Sequence, residues 1–516
     1  MSLDTIGTAN SGLTGSMPGG ARQNPGSRHG ETHFGPVFHY RPRRRSPCRY
    51  WRHSPRRPRA NATKHLTPTG KGQTRRPVHR SPQLARITQI LALGGILSSL
   101  APTNAASFRL IGGIVHTVSG ATLTNAPVLV RDGRIQAVGA LATGTVDREV
   151  DLGGQHLYPG LIAPTTVLGL VELDGVRATR DSTEVGEFTP EVNAWVAVNP
   201  DSELIPVARA NGYTHAQVVP LGGTLSGVSG VVQLRGWTTE ELTVKRAAAL
   251  HLFWPSFELD LTPKHLSPSR DKWKSPEDQV RDRNRRLREL DAFFSEAQAY
   301  ARAREVHAPS QATVPAWEAM VPLVRGELPL WIHADELRQI RSAIEWAAQR
   351  RFTTVLAGGR DAWRCADLLA SNRVAVAYEH VFTLPPRDSD TYDVQYAAPA
   401  LLFRAGVQVA FTEGTDRFGA SGIRNIPYAA AQAMAFGLPP DEAIRGLTLY
   451  PARMLGLADR LGSIEPGRDA TFIAVDGSLL DIRRRVTRMW IRGEETSLES
   501  RHTRLYERYR QRPRNP

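Results

Sequence analysis

The chain has 516 residues, of which 41% are hydrophobic and 22% charged, ordinary values for a globular protein with a large core. Its net charge of +15 would point to a nucleic-acid or membrane partner, but the charge sits at one end. Residues 1–106 hold 17 Lys+Arg against 2 Asp+Glu, which leaves 48 of each from totals of 65 and 50. All the basicity belongs to one end, so the balanced body gives no charge-based ground for a nucleic-acid or membrane partner.

In chain order, residues 1–84 form an Arg/Pro-rich tract, "HYRPRRRSPCRYWRHSPRRPRA" at its centre, with neither strand nor helix periodicity. Such a segment cannot bury enough apolar surface to offset its ordering entropy, so a disordered tail is expected. An arginine-rich arm on phosphates is the functional alternative, and a biased tail without a partner is the reading adopted. Residues 85–106 then place Arg86 before the apolar run Ile87–Leu100 and the small residues Asn104, Ala105 and Ala106. This is the layout of a secretory signal peptide, too short for a stable membrane span of roughly 20 residues. It predicts export to the periplasm and a natural start downstream of Met1. With cysteine only at Cys48 and Cys365, the mature protein would hold one thiol and no internal disulfide.

Short strands follow in "FRLIGGIVHTVSG", "APVLVRDGRIQAVG" and "REVDLGGQHLYPG", with Asp132-Gly133 marking a hairpin. The same texture returns near the other end in "LGSIEPGRDATFIAVDG" and "VTRMWIRGEE". The pattern predicts one small composite β-sandwich domain built from residues 107–158 and 462–496, with residues 159–461 inserted and a basic tail at 497–516. The inserted middle alternates buried-strand candidates ("THAQVVP", "LPLWIHAD", "FTTVLAGG", "RVAVAYEH", "VQVAFTEG") with helices such as Glu336–Arg350, whose Leu337, Ile340, Ile344 and Ala347 share a face. At this length an α/β fold of the (β/α)8 TIM-barrel type is expected, with an open doubly wound sheet as the alternative. Ser275-Pro276-Glu277-Asp278 starts a long helix with an apolar stripe of Leu287, Leu290, Phe294 and Ala297. The glycines of "PLGGTLSGVSGVVQL" are expected to make tight strand-to-loop turns; the lysine and spacing of a nucleotide loop are missing.

The order "IVHTVSG", "VRDGRIQAVG", "VDLGGQHLYPGLI", "IHAD", "LTLYPARMLGLADRLGSIEPGRDATFIAVDG" resembles the amidohydrolase superfamily, nearest its imidazolonepropionase-like branch, over roughly residues 108–496. The resemblance implies a barrel-mouth metal centre that activates water to attack a carbon–nitrogen or related bond. The family's paired histidines fall at Thr165, whose hydroxyl is a poor ligand for a divalent ion, and at Val167, which is none. His333 matches a family histidine, with Asp335 beside it, and Gly358 and Gly359 stand near the place of another. Glu413 or Asp416 stands in for the family's last-strand aspartate. The site residues expected are therefore His333 and Glu413 toward a metal, Asp416 as catalytic, and Thr165, Glu379 and His380 lining the substrate pocket. Read by themselves, His333 is a hydrogen-bonded barrel histidine, and Glu379-His380 is either an acid/base pair or a solvated loop start. The cofactor is one weakly bound divalent ion such as zinc, or none. The function expected is a hydrolase of carbon–nitrogen bonds other than peptide bonds, with altered or missing metal ligands. The alternative is a non-catalytic relative serving as an exported binding or structural module. Expected partners are a small-molecule substrate and further copies or a related amidohydrolase, with no nucleic acid and no membrane span.

Overall fold

Burial separates two kinds of strand along the chain. Phe108–Ile111 alternates buried and half-buried positions, whereas Tyr213–Val218 and Thr354–Gly358 are buried at every residue. The first pattern belongs to a sheet with one wet face, the second to strands covered on both faces. The computed structural model describes residues 107–306, 312–416 and 418–512. The expected tail at 1–84 and signal segment at 85–106 lie outside the described residues.

The strands of the two chain flanks form two sheets, in which Phe472–Val475 is buried throughout. One has four strands in the order 134–138, 128–131, 108–111, 148–151; the other has six, in the order 494–495, 486–491, 472–475, 156–159, 114–116, 122–124. Phe108, Leu110, Val128 and Ile135 of the first sheet share a core with Leu157, Phe472 and Trp490 of the second. In the second sheet Phe472–Val475 pairs antiparallel with His156–Pro159, so strands from both chain flanks lie side by side. The Asp132-Gly133 turn joins two antiparallel strands with φ of 51° and 69°, the left-handed pair that matches strand twist in a tight hairpin. A Cβ at Gly133 would lie 2.6 Å from the Arg492 carbonyl oxygen, so glycine also lets the second sheet approach.

The strands between the flanks, mostly buried, form an eight-stranded sheet: β1 (Leu161–Thr166), β2 (Tyr213–Val218), β3 (Leu225–Gln233), β4 (Thr243–Phe253), β5 (Leu330–Ala334), β6 (Thr354–Gly358), β7 (Ala375–Tyr378) and β8 (Val409–Phe411). They neighbour one another in chain order and curl until β1 and β8 meet through Thr165 and Thr412, whose hydroxyl oxygens are 2.7 Å apart. The barrel reading holds with one change of direction. β3 is antiparallel to both β2 and β4, and all other pairings are parallel. Of the glycines expected to make turns, Gly222 and Gly223 do so just before β3, at φ of +99° and +64°, whereas Gly227 and Gly230 lie inside the reversed strand. Gly227 has φ of +121°, and its Cβ would fall 2.6 Å from the Val192 carbonyl oxygen; a Cβ on Gly230 would meet the Trp195 side chain at 2.7 Å. Their purpose is to let the 188–195 segment cross closely over β3, at bridges that include Asn193 to Val228.

The helices around the barrel end where their capping chemistry dictates. Leu337–Gln349 starts at a capping box in which Glu336 accepts from the Gln339 amide and the Gln339 side chain reaches back, and it buries Ile340, Ile344 and Ala347. Pro276–Glu305 begins on the Ser275 cap and buries Leu290, Phe294 and Ala297, with Phe294 edge-on to Trp346 at 4.8 Å. Among the described residues no helix is long and apolar enough to cross a membrane.

Candidate active site at the barrel mouth

Side chains at the C-terminal ends of parallel strands converge on one end of a barrel. Here β5 delivers His333 and then Asp335, β7 delivers Glu379 and His380, and β8 delivers Thr412, Glu413 and, after a short loop, Asp416. Two hydrogen-bonded pairs organise the mouth. His333 Nε2 lies 2.9 Å from Nδ1 of His251, a fully buried residue of β4, and Phe253 stacks on the His333 ring at 4.1 Å. Burial holds His333 down at about 4, and burial together with His333 holds His251 well below the imidazole range. Both rings are therefore neutral near pH 7, one donating to the other.

The second pair is Asp335 Oδ1 with His380 Nε2, 2.6 Å apart. The two residues sit on β5 and β7 with β6 between them. Gly358 ends β6 at φ of +94°, and a Cβ there would lie 2.5 Å from Asp335 Oδ1. The missing side chain opens the passage through which Asp335 reaches His380. Burial disfavours the charged His380 ring, but the bond and charge of Asp335 outweigh it and raise the pKa. Burial likewise works against the Asp335 carboxylate, and His380 more than compensates. The pair is thus an ionised carboxylate orienting an imidazole.

Two further carboxyls behave differently. Burial, followed by the charge of Asp335, pushes Glu379 up to about 8; burial and Asp416 push Glu413 to about 7. Glu379 packs directly against Gly414, and Glu413 against Gly422. Glu379 Oε1 and His380 Nδ1 are buried and have no hydrogen-bond partner among the described residues.

The expected residues therefore separate by position. His333, Asp335, Glu379, His380 and Glu413 are partly buried around the mouth, while Asp416 is exposed. Asp416 borders a crevice of about 440 Å³ that Val167, Val171, Arg177 and Glu184 also line. Thr165 is fully buried, and its hydroxyl is engaged by Thr412. Sequence reading missed His251 and Thr412. A single histidine within the apolar run "AAALHLF" was the available signal for the first.

A family model for the amidohydrolase family matches residues 330–498. Of known structures, an amidohydrolase from Thermotoga maritima MSB8 aligns with a TM-score of 0.65 at 24% identity, covering 76% of this chain and 99% of that one. Residues 330–498 are thus similar to the amidohydrolase family, and the chain shares the fold of that structure. Curated relatives match over shorter stretches. The imidazolonepropionase of Cereibacter sphaeroides (strain KD131) is 33% identical over 147 residues, 27% of this chain and 34% of that protein. The N-acetylgalactosamine-6-phosphate deacetylase of Escherichia coli O157:H7 is 43% identical over 61 residues, 12% and 15% respectively. The chain thus spans about a third or less of the length of these relatives.

The superfamily's metal centre needs several imidazoles and carboxylates around one point. Among the described residues, no three His, Cys, Asp or Glu are placed to hold one ion. The hydroxyls of Thr165 and Thr412 bond to each other, Val167 lines the crevice as apolar wall, and His333 Nε2 is engaged by His251. These donors, as placed, do not fit a divalent ion.

Proposed function

We propose that this protein hydrolyses a carbon–nitrogen bond other than a peptide bond in a small molecule, with its own acid–base groups in place of a metal centre. The observation that carries this reading is the Asp335–His380 pair, 2.6 Å apart at the barrel mouth, with His380 Nδ1 and Glu379 Oε1 buried beside it and unpartnered. With Nε2–H held by Asp335, Nδ1 carries the free lone pair and accepts a proton from a water that attacks the carbonyl carbon. Asp335 stabilises the imidazolium that forms, as the orienting carboxylate does in a nucleophile–base–acid triad. Glu379, protonated at neutral pH because its pKa is raised to about 8, donates to the departing nitrogen as the C–N bond breaks. His380 then returns its proton to Glu379, and the cycle closes. Glu413 and Asp416 set the negative field of the rim. Relatives named as a deacetylase, an imidazolonepropionase and a deaminase support the bond class. The apolar segment after Arg86 supports a periplasmic location, and association with a related amidohydrolase belongs to the same proposal.

A second reading, a non-catalytic binding module, is favoured by one observation: the Thr165–Thr412 hydroxyl pair fills the place where the family's ligands begin. Assay of the purified full chain on cyclic amides and N-acyl amino acids, with chelator present, separates the two. The metal-free hydrolase gives chelator-insensitive turnover that falls about 10²–10⁴-fold in His380→Gln. Turnover that appears only with added zinc overturns the metal-free site. Absence of turnover under both conditions establishes the second reading.

A further inference from the structure

The barrel has a second crevice at the end opposite the mouth. Because β3 is reversed, it ends at Gln233 beside His215 near the start of β2, so Leu234 and the residues after it lie at the barrel base. There Arg209, Leu234, Arg235, Trp237, Glu203 and Arg504 surround a cavity of about 460 Å³, a volume suited to a small organic ligand.

Its lining sets Arg209, Arg235 and Arg504 against Asp201, Glu203 and Glu495. Arg235 pairs with Glu494, Arg504 lies 3.6 Å from both Glu203 and Glu499, and Glu495 of the lining is held by Arg488 at 2.8 Å. Arg209 differs. Its Nη1 donates to the Leu234 carbonyl at 3.3 Å, its Nε is buried without a partner, and no carboxylate lies within ion-pair distance of it among the described residues. Burial alone lowers its pKa, with no acid raising it again. A desolvated guanidinium without a counter-ion is costly to keep, and a bound anion is what compensates it. On the rim stands Trp237, 88% exposed. Its backbone amide is fixed by Glu241 Oε2 at 2.8 Å. An apolar ring that gains nothing from the fold is available to stack on a ligand.

We propose that this crevice is a second ligand site, separate from the barrel mouth, for a small organic anion: a phosphate or carboxylate held by Arg209 and carried on a planar ring that stacks on Trp237. Arginine presents a planar fork that both oxyanions fit bidentately, so the two sources share one chemistry.

The test uses the purified full chain titrated with phenyl phosphate, benzoate, inorganic phosphate and neutral benzamide, followed by calorimetry and tryptophan fluorescence. Saturable binding of phenyl phosphate, of benzoate or of both is expected, and the stronger of the two names the anion. Benzamide should bind at least about tenfold more weakly, since it offers no charge to Arg209. Arg209→Gln should weaken the ring anions about tenfold or more. The solvent-exposed Trp237→Ala should weaken them and abolish the quenching, while leaving any binding of inorganic phosphate unchanged. Failure of both ring anions to saturate overturns the proposal. So does benzamide binding as tightly as benzoate, or affinity unaltered in both variants.

Discussion

Replacing the hydroxyl of Thr412 should cost far more than replacing that of Thr165, although the two touch. Thr412 Oγ1 donates to the Thr165 carbonyl at 2.8 Å, accepts from the Gly414 amide at 3.3 Å, and lies 2.7 Å from Thr165 Oγ1, which donates to it. Each net hydrogen bond contributes about 1 kcal/mol, and a buried hydroxyl left stranded costs about 1–3 kcal/mol. Thr412→Val removes the bonds to the Thr165 carbonyl and the Gly414 amide and strands the hydroxyl of Thr165, which is fully buried, so about 3–5 kcal/mol of stability should be lost. Thr165→Val removes one bond and leaves Thr412 with two, a loss of about 1 kcal/mol. In the double variant no hydroxyl is stranded, and the shortfall from additivity should be about 1–3 kcal/mol. Urea unfolding at constant slope reads all three values from the shift in midpoint. If Thr412→Val is no more destabilising than Thr165→Val, the donor assignment across the barrel seam is wrong.

Further outcomes follow from the same geometry. Glu379 is raised from 4.5 to about 8 by burial, so the unfolded chain gives up this proton first and stability is lost as pH rises from about 4.5 through 8. Melting temperatures recorded across that window should decline less steeply in Glu379→Gln; parallel declines would falsify the assignment. Gly358→Ala would push a methyl group to 2.5 Å from Asp335 Oδ1 at a φ of +94°. The Asp335–His380 bond should break, and with that bond gone burial should lower the His380 pKa from its present raised value, a shift visible in ring-proton NMR titration. Chelator treatment should leave the melting temperature unchanged, and elemental analysis should find well under one metal ion per chain. Phe294→Ala should destabilise by about 3–5 kcal/mol in thermal unfolding, because the ring is fully buried against Trp346.

The parts of this molecule legible in its sequence are those fixed by local chemistry. Asp132-Gly133 makes its hairpin, Ser275-Pro276 its helix start, and the Leu337, Ile340, Ile344 stripe its buried face, each from contacts within a few residues. The glycines of β3 were misread because a strand that tolerates close passage of another segment and a turn that needs positive φ draw on the same residue. Only the tertiary position of Val192 and Trp195 distinguishes them. At the mouth, His333 and the Glu379-His380 step could be picked out as polar groups ending apolar runs. Their pairing could not, since Asp335 meets His380 across 45 residues and through a gap that a third strand's glycine leaves open. His251 was hidden for a similar reason: a histidine inside an apolar strand gains meaning only once its partner is known.

The strand contact between His156–Pro159 and Phe472–Val475 joins positions 313 to 319 residues apart. On a ribosome the first of these strands emerges long before the second has been made. Until then it offers an open, apolar edge to any passing chain. Closing a loop of that length adds little to the free energy of the finished fold, because the entropic term grows only with the logarithm of length, yet it delays assembly. This protein must therefore complete most of its translation before its second, six-stranded sheet is whole, although the four-stranded sheet is fully synthesised by residue 151.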